Sequence, residues 1–216
     1  DRRDAGARRG RAAVVLRLMR PVERRPLVGG YVRLEPLSTA HETDLRGIDD
    51  PALFRFLPQT PDDFPDWFAS ALTSRDPLYF AALMDGVAVG RASVMRMDLP
   101  NGVAEIGNIL WGPRMQRTPA STEAVFLLAD RLFGLGARRV EWKCNDLNEA
   151  SKSAAVRLGF TFEGVFRQHM IVKGHNRDTA WFSLLDHEWP ARRRAILAWL
   201  REDNFVQGQQ RQPLQR

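Results

Sequence analysis

Residues Val103–Leu132 read "VAEIGNILWGPRMQRTPASTEAVFLLADRL", and the fold turns on how this stretch divides. "VAEIGNILW" has the length and apolar content of a strand. From Val125 the period changes: Val125, Leu128, Ala129 and Leu132 stand at i, i+3, i+4 and i+7, one face of a helix. Between the two lies "QRTPASTEA", Gln116 to Ala124, where the helix starts. Thr118 is a good N-cap, and Pro119 takes the first helical position. There its fixed φ suits the helix, and its missing N–H is one that a helix start leaves unpaired anyway. The extended geometry forced on the residue before a proline also suits an N-cap. The N–H groups of Ala120, Ser121 and Thr122 point out of the helix start, Arg117 adds a positive charge, and Ser121 and Thr122 add hydroxyls. A pyrophosphate fits such a place. A helix that is only well capped looks the same, and taken singly this stretch favours that plainer reading.

Upstream, "YVRLEPL" from Tyr31 alternates as a strand does, and order is expected to begin there. Ser38 can cap a short helix reaching about Asp49. "TPDDFPDWFASALTS" then opens a second helix, with acidic residues at its start as the helix dipole prefers. "LYFAALM" is a buried-strand run. Asp85-Gly86 marks a hairpin, "VAVGRASVMRM" returns, and Asn101-Gly102 repeats the device, so the chain forms a three-strand antiparallel meander.

Downstream, "RRVEWKC" is a strand with Val140, Trp142 and Cys144 on one side. Asn148 can cap a helix whose Ala150, Ala154, Ala155 and Leu158 share a face, and Gly159 ends it. Two strands follow, over 160–172 and 178–186, joined by "KGHNR". A C-terminal helix starts after Pro190, and the tail "QGQQRQPLQR" reads as disordered. The order β-α-α-β-β-β-α-β-α-β-β implies an α/β protein of α+β type. Its sheet is mixed, twisted and mostly antiparallel, with helices on both faces.

A hydrophobic fraction of 44% and a charged fraction of 27% are ordinary for a globular protein, and no apolar run is long enough for a membrane span. The one cysteine, Cys144, excludes an internal disulfide and points to a reducing, cytoplasmic setting. Residues 1–30 carry nine arginines against three acidic residues, which accounts for the whole net charge of +6. The basic character therefore belongs to an arginine-rich leader over 1–29, read as disordered, and not to a face of the domain. Such an arm could touch RNA, but nucleic acid is not the expected partner. His41, His175 and His187 show no metal-ligand spacing, and no metal is expected.

The order of elements and three stretches together resemble the GNAT superfamily of acyl-CoA-dependent N-acetyltransferases, and most closely its ribosomal-protein N-terminal acetyltransferase branch. "EIGNILWGPRMQRTPASTEA" looks like the family's strand, loop and helix around the acyl-CoA pyrophosphate. "NEASKSAAVRLGFTFEGVFRQ" looks like its Asn-x-x-Ser helix and the following Gly-Phe strand, and "RDTAWFSLLDHEW" like its final strand. The resemblance covers residues 30–190 as one acetyltransferase domain, followed over 191–216 by the C-terminal helix and polar tail. The family loop usually reads Gln/Arg-x-x-Gly-x-Gly/Ala. Here Gln116 matches, Pro119 replaces the first glycine and Ser121 the small last residue.

The resemblance implies acetyl-CoA as acyl donor and direct attack on it by a primary amine. The acceptor is a protein N-terminus, a lysine or a small-molecule amine. By the same resemblance Leu110 and Trp111 offer backbone groups to the pantetheine. Gln116, Arg117, Thr118, Pro119, Ala120, Ser121 and Thr122 hold the pyrophosphate, and Asn148 and Ser151 contact the cofactor further along. Glu105, on the strand leading into the loop, is the candidate general base. A carboxylate in an apolar sheet can have a raised pKa. Asn108 is a weaker catalytic candidate, facing opposite Glu105 if the strand is regular. Where many family members place a tyrosine acid, this chain has Ala155, which leaves Ser151 or water to protonate the thiolate. Glu163 and His169 are further polar residues near the cleft. Arg177 and Asp178 are acceptor-site candidates in the loop between the last strands. Asp62, Asp63 and Asp66 would favour a cationic amine. The alternatives are a non-catalytic acyl-CoA sensor, or transfer of another acyl group such as succinyl, for which no basic residues near the thioester can be located from sequence. The aromatic content leaves a homodimer open.

Overall fold

The computed structural model describes residues 18–206 and 209–215. Eight strands form one sheet in the order β1-β2-β3-β4-β5-β6-β8-β7. They are β1 Leu27–Val28, β2 Arg33–Pro36, β3 Leu78–Met84, β4 Val87–Asp98, β5 Val103–Trp111, β6 Arg139–Asn145, β7 Thr161–Val172 and β8 His175–Leu185. Every neighbouring pair is antiparallel except β5 and β6. That parallel pair needs a crossover, and the helix α3, Pro119–Gly134, supplies it. The mixed, mostly antiparallel sheet and the β3–β4–β5 meander agree with the reading of the sequence.

Helices cover both faces. On one side α1, Glu42–Arg46, and α2, Phe64–Thr73, close a smaller core with Tyr79, Ala81, Ala88 and Leu110 of the strands. In α2, Phe64, Trp67, Phe68 and Ala71 face inward at helical spacing. On the other side α3, α4 (Glu149–Leu158) and α5 (Trp189–Trp199) close the larger core. Val125, Leu128, Ala129 and Leu132 are all buried there, as their spacing implies. Each such leucine contributes about 1.5–3 kcal/mol. Of the four residues expected to share the inner face of α4, Ala155 and Leu158 are buried, whereas Ala150 is exposed in the first turn.

The two hairpin turns form where Asp85-Gly86 and Asn101-Gly102 predict them, with positive φ at Asp85 (53°), Gly86 (78°) and Gly102 (66°). Three boundaries move. The first helix is a 3-10 turn, Thr39–His41, running into α1, and it stops before Gly47 rather than at Asp49. The loop expected at "KGHNR" shrinks: Lys173 and Gly174 alone make the turn, at φ 50° and 76°, so Arg177 and Asp178 lie inside β8 and not in a loop. The packed chain also reaches back before Tyr31. Met19 is 3% exposed, its N–H donates to Leu99 O at 3.3 Å, and Leu27–Val28 pairs with β2. Part of the leader expected to be disordered over 1–29 is therefore held to the domain, at Met19 and at Leu27–Val28, whereas Leu18 is exposed and residues 1–17 lie outside the described residues.

The described part of the tail, 209–215, is likewise anchored, and residues 207, 208 and 216 lie outside the described residues. Phe205–Val206 and Gln209–Gln210 pair as β9 and β10, Trp199 Nε1 donates to Gln210 Oε1 at 3.0 Å, and Leu214 is buried. Its apolar anchors are few, which is why a composition argument reads it as solvated.

Candidate active site

Strands β5 and β6 pair only over Val103–Glu105 with Arg139–Glu141. Beyond that level β5 follows β4 and β6 follows β8, so the two central strands part. A cleft of about 270 Å³ fills the opening. It is bordered by Glu105 to Ile109 of β5, Trp142 to Asn145 of β6, Asn148 and Ser151 of α4, and His169, Arg177 and Thr179 of the β7–β8 hairpin. Leu53, Phe56, Leu57 and Pro58 also border it, and Lys173 Nζ donates to Phe54 O of the same segment at 2.9 Å.

A bulge shapes one wall. Arg91 pairs with Leu110 and Ser93 with Gly107, so two residues of β5 oppose Ala92 alone. Asn108 takes φ 53°, a left-handed conformation that asparagine tolerates better than most residues. Its Nδ2 donates to Ser93 Oγ at 3.0 Å, and Ser93 Oγ donates to Gly107 O at 3.1 Å. The expectation for a regular strand is thereby corrected: Glu105 and Asn108 line the same cleft because the extra residue flips the alternation.

Glu105 is 5% exposed. Its Oε2 lies 3.0 Å from Lys143 Nζ and 3.3 Å from Arg96 Nε. Burial pushes its carboxyl above the ordinary carboxylate range, with Lys143 and Arg96 pulling the other way. Lys143 also stands 2.8 Å from Glu141 Oε2 and 3.7 Å from the Trp181 ring centroid. From there the charges continue across the sheet. Arg139 pairs with Glu141 at 2.8 Å and forks onto Glu163 at 2.7 and 2.6 Å, and Ser183 Oγ donates to Glu163 at 2.6 Å. Glu163 is thus an ion-pair partner and not among the cleft residues. Arg139, Glu141 and Lys143 share one side of β6 at period two, opposite the buried Val140, Trp142 and Cys144. That period is visible in "RRVEWKC", but which carboxylates the two cations would meet is not.

Asn148 caps α4, its Oδ1 accepting from Ser151 N–H at 3.1 Å, and its place on the cleft rim is compatible with a ligand contact as well. Ser151 Oγ accepts from Trp142 Nε1 at 3.0 Å, and its own proton can be given to the neighbouring Cys144 sulfur or to a ligand. Cys144 is free and buried, and burial pushes its thiol up, so it is a poor nucleophile. His169 Nδ1 lies 2.9 Å from Thr179 Oγ1. Asp178 accepts from Gln168 N–H at 2.7 Å and from Asn176 Nδ2 at 2.9 Å, which ties down the β7 bulge rather than an acceptor. Nor do the acidic residues of "PDDFPD" border the cleft. Asp63 accepts from Thr60 N–H at 2.7 Å and Thr60 Oγ1 at 2.8 Å, while Asp62 and Asp66 are exposed.

The helix start expected to hold a pyrophosphate lies further along β5, past Leu110 and Trp111, neither of which borders the cleft. Thr118 is the N-cap and Pro119 is N1, as read. The Thr118 hydroxyl does not cap; it donates to Met115 O at 2.7 Å. The N–H groups of Ala120 and Ser121 therefore stay open in the first turn. The side chains contribute less than expected. Ser121 Oγ donates to Thr118 O at 2.8 Å, and the buried Thr122 hydroxyl accepts from Arg157. Gln116 Nε2 donates to Trp111 O at 2.9 Å and so braces the loop, and Arg117, at φ 57°, is exposed. Open first-turn donors, an exposed arginine and a stiff proline suit an anion, and the donors are those of the backbone. Among the described residues no group of three or more His, Cys, Asp or Glu could hold a metal ion, and no helix is long and apolar enough to cross a membrane.

Comparison with known proteins places this geometry. The family model for the acetyltransferase (GNAT) domain matches residues 32–161. The crystal structure of a GCN5-related N-acetyltransferase from Brucella melitensis is 47% identical, with a TM-score of 0.89 over 91% of this chain and 95% of that one. A structure of a GNAT-family protein from Chromobacterium violaceum, called a probable acetyltransferase, is 36% identical, with a TM-score of 0.78 over 84% and 96%. The Bacillus subtilis protein named "Putative ribosomal N-acetyltransferase YdaF" is 30% identical over 58% of this chain and 68% of its own length. A parted central strand pair, a bulge beside a buried carboxylate and an open helix start after the same strand thus occur in a chain that belongs to the GNAT family of acetyltransferases.

Proposed function

We propose that the chain transfers an acetyl group from acetyl-CoA to a primary amine by direct attack, with Glu105 taking the proton that the amine must lose. The observation that carries this is the buried carboxylate of Glu105 at the level where β5 and β6 part, with the bulge at Asn108 beside it. Acetyl-CoA supplies the acetyl group as a thioester. The open donors of Ala120 and Ser121, with Arg117, would hold its pyrophosphate, and Asn148 and Ser151 would border its thiol end. The bulge frees backbone polar groups from the ladder, and these can meet the negative charge that builds on a carbonyl oxygen. A carbon–nitrogen bond forms and the carbon–sulfur bond breaks. Glu105 accepts the amine proton, and Ser151 or water returns a proton to the departing thiolate.

Among acceptors a protein N-terminus comes first, since a relative is named for ribosomal N-acetylation. The single free cysteine suits a reducing compartment, and we place the protein in the cytoplasm. Calorimetric titration with acetyl-CoA and CoA, beside amine-dependent release of free thiol, tests the reading. Wild type should bind acetyl-CoA at micromolar levels. Glu105→Gln should keep that affinity and lose about 100- to 10,000-fold in turnover. A variant that turns over at the wild-type rate removes Glu105 as the base, and absent binding reduces "QRTPASTEA" to a capped helix.

A further inference from the structure

The cleft holds more positive charge than acetyl transfer to a simple amine requires. Arg96, Lys143 and Arg177 border it, against the carboxylate of Glu105. Lys143 is committed to two carboxylates and a tryptophan face. Arg96 reaches Glu105 at 3.3 Å with its side chain 54% exposed. Arg177 differs from both. It lies on β8 with Cys144, Glu105 and Arg96 for electrostatic neighbours, it is half-buried, and its buried Nε has no hydrogen-bond partner among the described residues. Its side chain makes no ion pair there either. A guanidinium stays charged in a protein, and leaving it desolvated and unpaired is costly. Its planar fork matches a carboxylate.

The cofactor's phosphates do not explain Arg177. The open helix start that suits them follows β5 beyond Trp111, whereas Arg177 lies with the residues around Glu105, where the amine must lose its proton. We infer that Arg177, with Arg96 beside it, binds a carboxylate close to the transferred group, so that the preferred acceptor is an amine that also carries a carboxylate, such as an acidic N-terminal peptide. The same fork could take a carboxylate at the end of the donor's acyl chain, as in succinyl-CoA. The acidic residues of the second helix, which would have favoured a purely cationic amine, lie off the cleft.

The inference rests on the acetyltransferase reading, and the test separates the two. Wild type, Arg177→Gln and Arg177→Lys are assayed with acetyl-CoA on two peptides that differ only by Glu or Gln at the second position, and with succinyl-CoA on the Gln peptide. Wild type should prefer one carboxylate-bearing combination by about 10- to 100-fold in kcat/KM. The ratio should fall to about one in Arg177→Gln and recover in part in Arg177→Lys. Preference for the Glu peptide puts the carboxylate on the acceptor, and preference for succinyl-CoA puts it on the donor. Equal rates for every pair in wild type overturn the inference. So does an Arg177→Gln variant that loses affinity for CoA itself as steeply as for the peptide. The N-acetylated Glu peptide is also titrated into the CoA-loaded proteins by calorimetry, with thermal melts confirming that the variants fold. Binding that depends on Arg177 while no amine is turned over keeps the carboxylate site and sinks the transferase reading. Neither binding nor turnover sinks both.

Discussion

Lys143 Nζ stands 3.0 Å from Glu105 Oε2, joining two strands at the level where their pairing ends. Both side chains are under 10% exposed, and Lys143 is the nearest charge that compensates Glu105 for lost water, while Lys143 itself is shared with Glu141 at 2.8 Å. Lys143→Met leaves Glu105 with Arg96 alone. The carboxyl pKa then rises further, because burial still raises it and the closest countercharge is gone. A base must be deprotonated to act, so the acid limb of kcat/KM should move to higher pH. Breaking the buried pair should also cost about 3–5 kcal/mol of stability. A pH–rate profile and a denaturant melt of the variant check both, and an unmoved acid limb would mean that Lys143 does not set the charge state of Glu105.

Glu163 carries the opposite sign of pH dependence. The Arg139 fork, helped by Ser183, holds its carboxyl at about 2. A depressed folded pKa gives stability that is present above the ordinary carboxylate value and is lost as pH falls towards 2. Solvent reaches the pair, since the Glu163 side chain is 38% exposed, and the effect is accordingly modest. Glu163→Gln should melt about 2–4 °C below wild type at neutral pH. That gap should close as acid protonates the wild-type residue, and a gap that is constant with pH would assign the loss to shape rather than charge.

At the start of α3, stability and binding should respond with opposite signs. Ser121→Asp puts a negative charge in the first turn, where the helix dipole favours it by about 0.3–1 kcal/mol. The same charge repels a pyrophosphate. The variant should melt slightly higher and bind acetyl-CoA about tenfold or more weakly, which is about 1.4 kcal/mol. A calorimetric titration beside a thermal melt reads both. Unchanged affinity in a stabilised variant would leave "QRTPASTEA" as a capped helix and nothing more.

What the sequence made legible follows from the range of the interaction concerned. Hairpin turns, the α3 face and the alternation of β6 depend on neighbours a few residues apart, and Asp85-Gly86, Leu128 with Leu132, and Val140 with Trp142 show them plainly. The bulge at Asn108 is set by Ser93 across the strand pair, so strict alternation put Asn108 on the wrong side of Glu105. Gly107-Asn108, a pair tolerant of unusual backbone, was the one local sign of it. Arg139, Glu141 and Lys143 show their common side in the sequence, whereas their partners Glu105 and Glu163 come from other strands. The packed leader was hidden for a similar reason. Its arginines dominate any composition count, while its hold on the domain runs through Met19, through Arg20 and Arg24 bonds to backbone carbonyls, and, just past its end, through a carboxylate nearly a hundred residues away.

That carboxylate is Glu123, and it is the most exposed to test. Its oxygens accept from the N–H groups of Gly30, Tyr31 and Val32 at 2.8, 2.7 and 2.9 Å. Gly29 is beside it, so close that a Cβ there would fall 2.3 Å from the carboxyl carbon. Three backbone donors converging on one charge are what fastens the segment before β2 to the first turns of α3. Glu123→Ala leaves all three without their acceptor. Water can reach some of them, so the loss should fall near about 2–4 kcal/mol rather than at the sum of three charged hydrogen bonds. The damage should be local as well as global: residues 18–32 should become sensitive to protease under conditions where α3 and the sheet remain protected. Gly29→Ala should reproduce the effect by pushing the carboxylate aside. If Glu123→Ala melts with wild type and the segment stays protected, then Met19 and the β1–β2 pairing suffice to hold it, and the carboxylate is not the clasp.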